Sequence, residues 1–250
     1  MTHPASQDLV LLDGAGQFPQ VRLQPVTGAG YLVLALEIDH RPPFLFGLAS
    51  AAKRRATGLL RAFAARQPDA QVFTALLIPP GRGAYLRQRP QISPARFDLV
   101  LLVETATPEA AQTLQASADW QALVKATAPL ARRQAAFSAT NIRHIGPVDH
   151  SKQGVFLFNW FTADDLDHNL AVWNYTAGWF TDQTGLDNST VLQPQAGQAP
   201  DWPIVNHCRW DGLSDILPAL IFKRSFRAYV LAHFAANRTA AMPVLYRLAR

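Results

Sequence analysis

The run Ile204–Gly212, IVNHCRWDG, sets His207, the only cysteine of the chain (Cys208), Arg209 and Trp210 side by side. Such side chains suit three kinds of chemistry: metal ligation by imidazole and thiolate, attack by a thiol beside an imidazole base, and orientation of an anionic ligand. Further candidates lie elsewhere. Glu37 and Glu104 end apolar runs, Arg143 and His144 are neighbours in NIRHIGPV, and DDLDHNLAVWNYTAGWF carries His168, Trp173, Tyr175 and Trp179. The spacings match no ligand or nucleophile signature. Cys-x-x-Cys, His-Glu-x-x-His and Gly-x-Ser-x-Gly are absent, and the glycines at 28, 30, 81 and 83 make no phosphate loop ahead of a helix.

Composition narrows the classes. The 250 residues can bury a large core; 49% are apolar and 16% charged, the balance of a globular chain. No run of about 18 apolar residues is long enough to span a bilayer. The first residues, MTHPASQDLVLLDGAGQ, lack a basic stretch followed by a long apolar one, so no export signal is expected. One cysteine rules out an internal disulfide framework and fits a reducing compartment, so the expectation is a cytoplasmic protein. The formal charge of +5 comes from scattered groups (Lys53, Arg54 and Arg55; Arg132 and Arg133; Lys223 and Arg224) without a nucleic-acid-binding motif. Neither nucleic acid nor membrane is an expected partner.

What positions the candidates is a series of eight strands and four helical regions. YLVLALEID (Tyr31–Asp39) predicts strand one. After a Pro-Pro loop, a helix over 48–66 carries Ala52, Ala56, Leu59 and Phe63 on one stripe. QVFTALLIPP and FDLVLLVE (Phe97–Glu104) predict strands two and three. Thr107 as N-cap, Pro108 and Glu109 start a helical region running to about 136, with a break near Pro129. NIRHIGPV predicts strand four. The order then repeats: VFLFNWF, a helix over 163–181 capped by Thr162, STVLQP, PIVNHCRW, a two-part helix over 214–222 and 225–236, and PVLYRLA. WQALV (Trp120–Val124) and FRAYV (Phe226–Val230) echo one another at the same place in the two halves.

Each β-α-β-β-α-β unit makes a four-stranded antiparallel sheet with its helices on one face. Strands apolar on both sides need the second face covered as well, which two units achieve by packing their bare faces together. In this element order the chain resembles the dimeric α+β barrel superfamily in tandem-fused form, including antibiotic-biosynthesis monooxygenase and EthD-like proteins. The fold class expected is α+β: an N-terminal extension (1–30) and two ferredoxin-like units (31–150 and 151–250).

Strand alternation then sorts the candidates. Leu32, Leu34, Leu36 and Ile38 should face helices, and Tyr31, Val33, Ala35 and Glu37 the space between sheets. Phe97, Leu99, Leu101 and Val103 likewise oppose Asp98, Val100, Leu102 and Glu104. Along 204–210, Ile204, Asn206, Cys208 and Trp210 share one face; Val205, His207 and Arg209 share the other. His207 and Cys208 therefore cannot form one site, and Cys208 is expected to be a buried apolar residue with no metal. His207 is the candidate general base, with Arg209, Glu37 and Glu104 as polar groups around a substrate; structural ion pairs at the barrel ends are the other reading. Trp173 and Tyr175 lie on a helix apolar on both sides, which suits a pocket for a flat ligand, core packing, or association with a second copy around Trp179.

The resemblance implies a cofactor-independent enzyme, oxygenase- or isomerase-like, acting on a small hydrophobic or aromatic molecule. A non-catalytic small-molecule-binding or interaction protein is the alternative. Haem is a further one, because some superfamily members carry it; His168 and His207 would be the axial candidates, although the GxxDG-type signature is missing and ADD (163–165) does not replace it.

Overall fold

In the computed structural model, which describes residues 9–12, 16–39, 48–79 and 83–249, eight strands close into a single barrel. The first unit supplies β1 (Gly30–Glu37), α1 (Ala51–Ala64), β2 (Ala70–Leu77), a short α2 (Ala84–Arg87), β3 (Leu99–Thr105), α3 (Pro108–Ala116), α4 (Ala118–Thr127) and β4 (Arg133–Gly146). The second supplies β5 (Val155–Ala163), α5 (Leu166–Thr184), β6 (Ser189–Pro194), β7 (Ile204–Trp210), α6 (Leu213–Phe222), a π-helical turn (Phe226–Leu231) running into α7 (Ala232–Ala236), and β8 (Thr239–Leu248). The Pro-Pro loop at 42–43 and the proline at 80 lie outside the described residues.

Around the barrel the strands run β1-β3-β2-β8-β5-β7-β6-β4, every neighbouring pair antiparallel. Each unit keeps the ferredoxin-like order, and the units meet edge to edge at β2·β8 and β4·β6. Closure leaves no strand edge unpaired, removing the exposed hydrogen-bonding rows that open sheets must protect. The fold is α+β, as the element order predicts.

Alternation places the core as expected. Val33, Ala35, Val100, Leu102, Phe137, Phe156, Phe158, Trp160, Val244 and Tyr246 fill the barrel. Leu32, Leu34, Leu36, Leu99 and Leu101 pack outside against α1 and α4, with Phe63 and Trp120 5.7 Å apart between ring centroids. The two echo segments take matching roles. Trp120 packs on Phe63 of α1, and Phe226 on Trp179 of α5 (5.4 Å), so each unit's second helical region leans on its first through an aromatic pair.

Four local expectations are corrected. The helical region ends near Leu130, and 133–140 is strand, because Ala135, Phe137 and Ala139 pair with Ala35, Val33 and Tyr31 of β1. Phe137 beside Val33 and Ala139 beside Tyr31 fit that register, so pairing overrides the helix preference of alanine. The break in the preceding helix falls at Ser117, which caps α4 by accepting from Trp120 N (3.3 Å). The N-cap of α5 is Asp165, accepting from His168 N (2.8 Å), since Thr162 still belongs to β5. Alternation also lapses before β3. Phe97 enters the barrel, while Asp98 turns outward to Lys53 Nζ (2.9 Å) and the amides of Ile38 and Asp39.

The second apolar face of α5 is covered by the chain's own N-terminal segment. Phe18 meets Tyr229 edge-on (4.7 Å), Gly16 N donates to Tyr175 Oη (3.3 Å), and Gly178 admits the Pro19 carbonyl so closely that a Cβ would sit 1.8 Å from it. Val10 and Asn237 exchange two hydrogen bonds beyond. Trp179 itself is fully buried within the chain, and its Nε1 donates to Ser225 Oγ (3.0 Å).

Candidate functional site

His207 points into the barrel and Cys208 away from it, as alternation requires; the thiol is buried against the helices of the second unit. His207 is 2% exposed. Its Nδ1 lies 3.0 Å from the Leu157 carbonyl, which can only accept, so the proton sits on Nδ1 and Nε2 carries the lone pair. That lone pair faces His150 Nε2 at 2.8 Å, making His150 the donor. Phe73, Phe156 and Phe158 wall the pair, with Phe158 stacked 4.2 Å from His207. Burial holds both imidazoles neutral: His207 falls well below its ordinary range, helped by His150, and His150 falls to about 4, with Arg209 adding to the shift.

His150 comes from the linker between β4 and β5, which folds over one barrel end. Arg209 clasps that linker: it donates to the Gln153 carbonyl (2.7 Å), pairs with Asp211 (2.9 Å) and lies over the Phe156 ring. Beneath the linker is a cavity of about 90 Å³ whose walls include Tyr31, Glu104, His144, Thr190, His150 and His207. Burial raises the Glu104 carboxyl, as does the nearby Asp69, while burial, and after it Glu104, pushes the Tyr31 hydroxyl up to about 12. Space of that size suits a few water molecules, well short of the several hundred Å³ that an aromatic ligand occupies.

The other sequence candidates are dispersed. Glu37 lies at the opposite barrel end, about 20 Å from Tyr31 along β1, paired with Arg133 at 2.6 Å. Trp173 and Tyr175 lie outside the barrel on α5. Trp173 borders a narrow space under that helix, and Tyr175 stacks on Tyr229 (5.2 Å) beneath the N-terminal segment. The candidates thus fall into three places: His207 and Glu104 line the cavity under the linker that Arg209 clasps, Glu37 lies at the other barrel end, and Trp173 and Tyr175 lie on α5. Haem does not fit the two histidines proposed for it: both nitrogens of His207 are engaged, and His168 Nε2 meets the Asn237 carbonyl at 3.1 Å.

A larger space lies on the other side of the sheet. Between the outer faces of β5 and β8 and the helices α5 and α6 is a pocket of about 320 Å³. Leu157, Ala241, Pro243 and Leu245 form its floor; Phe180, Ile216, Leu220, Phe226 and Phe234 form its roof. Within this apolar lining Asn159 is 7% exposed, and its Oδ1 has no hydrogen-bond partner. Tyr85 also borders the pocket, its hydroxyl donating to Asp164 (2.6 Å). Neither residue is among the sequence candidates. The signal for Asn159 was present: an amide in mid-strand in VFLFNWF, on the Leu157–Asn159–Phe161 face, is a residue type that strands disfavour. Its value depended on a helix roof that strand periodicity cannot report. Among the described residues, no three histidine, cysteine or carboxylate side chains converge as a metal site.

No protein-family model and no curated protein sequence matches the chain. Its shape does have relatives. An anthrone oxidase-like protein superposes with a TM-score of 0.58 at 6% identity, covering 90% of this chain and 92% of that one. A candidate monooxygenase from Fusobacterium nucleatum gives 0.53 at 6% identity, over 90% and 94%. At such identity the likeness is one of fold: a closed α+β barrel, here with both ferredoxin-like halves in one chain.

Proposed function

We propose that the chain is a cofactor-independent enzyme, oxygenase- or isomerase-like, that takes a small hydrophobic or aromatic molecule into the pocket between sheet and helices. The observation that carries this reading is the unpartnered Oδ1 of Asn159 inside about 320 Å³ of apolar space. A buried polar atom without a partner costs about 1–3 kcal/mol, and a ligand hydroxyl or N–H would recover that cost. The apolar walls exclude water, Asn159 accepts the ligand's proton-bearing group, and Tyr85, held by Asp164, sets a second polar point at the rim. Without a resident cofactor the substrate must itself supply electrons to dioxygen, which an electron-rich phenol or enol can do. The likeness to an anthrone oxidase-like protein favours a flat aromatic of this kind.

Fluorescence titration with a hydroxylated anthracene-type probe tests the reading, followed by dioxygen uptake. Asn159→Leu should weaken binding of the hydroxylated probe about ten-fold, leaving the parent hydrocarbon unaffected. Ala241→Phe, which fills the pocket from its floor, should abolish both. Binding that survives Ala241→Phe would sink the assignment. Binding with neither dioxygen uptake nor isomerisation would favour the non-catalytic alternative.

The 2.8 Å contact between His150 and His207 supports a second reading, proton transfer at the barrel end with His207 as base acting through His150, and Glu104 lining the same cavity. It applies to a molecule small enough for the 90 Å³ cavity. Unchanged turnover in His207→Ala would remove it.

A further inference from the structure

Four large apolar side chains are exposed along one stretch of the second unit: Leu213 (38%), Ile221 (52%), Phe222 (76%) and Leu231 (44%). Leu213, Leu217 and Ile221 recur every four residues along α6, so they lie on one stripe, exposed at Leu213 and Ile221 and half-buried at Leu217 between them. Phe222 ends that helix, and the chain turns at Lys223 before the π-helical turn. Cations surround the tip. Arg227 reaches back to donate to the Ile221 carbonyl (3.1 Å), placing its guanidinium beside the exposed pair, and Arg224 is exposed two residues beyond Phe222. Lys223 donates to Gln183 at 2.7 Å. Of the acids in this region, Asp211 pairs with Arg209, while Asp182 and Asp215 accept from the Gln183 side chain and the Gly212 amide (2.9 Å) and keep their charge.

The tip adjoins the pocket. Leu220 and Phe226, flanking Ile221–Lys223 in sequence, line it, and Leu231 both lines it and is exposed. We propose that Ile221 and Phe222, ringed by Lys223, Arg224 and Arg227, dock the protein on an anionic bilayer surface with the pocket mouth facing the lipid. Large apolar side chains that enter the acyl boundary, framed by cations that meet acidic headgroups, form the two-part signal of an interfacial anchor. A water-insoluble ligand then passes between bilayer and pocket without crossing water, and in this respect the proposal rests on the pocket reading above. No described helix is long and apolar enough to cross a membrane. The sequence contains both halves of this signal, but they come together only where α6 ends.

Co-sedimentation of the full chain with vesicles tests it. The protein should bind vesicles of equal parts phosphatidylglycerol and phosphatidylcholine, bind phosphatidylcholine alone at least ten-fold less, and be released by salt. The double variant Ile221→Ser, Phe222→Ser should lose binding about ten-fold or more, as should Arg224→Glu combined with Arg227→Glu. Unchanged circular dichroism is expected, because the altered side chains are exposed. Absence of binding to the anionic vesicles overturns the proposal, as does binding indifferent to both variants. So does a wild-type dimer that the serine variant converts to monomer, which would assign the face to a second copy of the chain. Probe titration in vesicle-free solution separates the two readings: pocket binding without vesicle binding sinks only the docking, and vesicle binding without pocket binding sinks only the pocket.

Discussion

The Nε2 atoms of His150 and His207 face each other at 2.8 Å inside one end of the barrel, one ring brought by the linker between units and the other by β7. Because the Leu157 carbonyl fixes the His207 proton on Nδ1, the contact has a direction, from His150 to His207. The linker is thereby tied into the aromatic core of the barrel instead of lying on its rim.

That arrangement makes stability depend on pH in a definite sense. The folded-state value of His150 is about 4, against 6.5 in an unfolded chain, and His207 is lowered in the same direction. Below pH 6.5 the unfolded chain therefore binds protons that the folded one does not. The stabilisation is complete above about pH 6.5 and declines as the pH falls toward 4, by an amount on the order of 3 kcal/mol for His150. Urea unfolding of wild type and His150→Phe across that range should show the dependence reduced in the variant. Equal slopes would count against the buried neutral pair.

Cys208 should be chemically silent. Burial pushes its thiol well above the ordinary range, and its sulfur accepts from the Asn206 amide at 3.9 Å. A thiol reagent such as dithionitrobenzoate should label the native protein only at the rate of unfolding and should label it promptly in denaturant. Fast native labelling would contradict the buried placement.

Asp98 holds the start of β3 to α1. Its carboxylate accepts from Ile38 N (2.6 Å), Asp39 N (3.1 Å) and Lys53 Nζ (2.9 Å) at 1% exposure. Asp98→Ala leaves a buried lysine and two amides unpartnered, and should cost about 3–5 kcal/mol by chemical denaturation. Replacing both ends of the pair, with Lys53→Met and Asp98→Leu, should recover part of that loss.

Gly178 is required by close approach, since a Cβ would meet the Pro19 carbonyl at 1.8 Å. Gly178→Ala should push the N-terminal segment off α5, lowering stability by about 1–3 kcal/mol and exposing residues 16–26 to limited proteolysis. Wild-type protease resistance in the variant would show that the segment accommodates the methyl group.

Much of the architecture is local in origin and was legible for that reason. The two-residue period of a strand is a property of the peptide backbone, so the opposition of His207 to Cys208, and of Val33 to Leu34, followed without knowledge of any partner. Element order, two βαββαβ series with an echoed aromatic, was enough for the fold class. Where expectation and structure part, the cause is contact between distant residues. Arg133–Gly146 became a long strand because β1 offered a matching register. Glu37 and Glu104 share a strand face pattern yet occupy opposite barrel ends, because antiparallel neighbours reverse direction. His150 lay in a stretch with no periodicity to mark it. Asn159 acquired meaning only once α5 and α6 roofed the outer face of β5. Sequence determined which way each side chain points from its own strand. Tertiary structure decided what it meets there, because closing the barrel and laying helices upon it are set by packing across the whole chain.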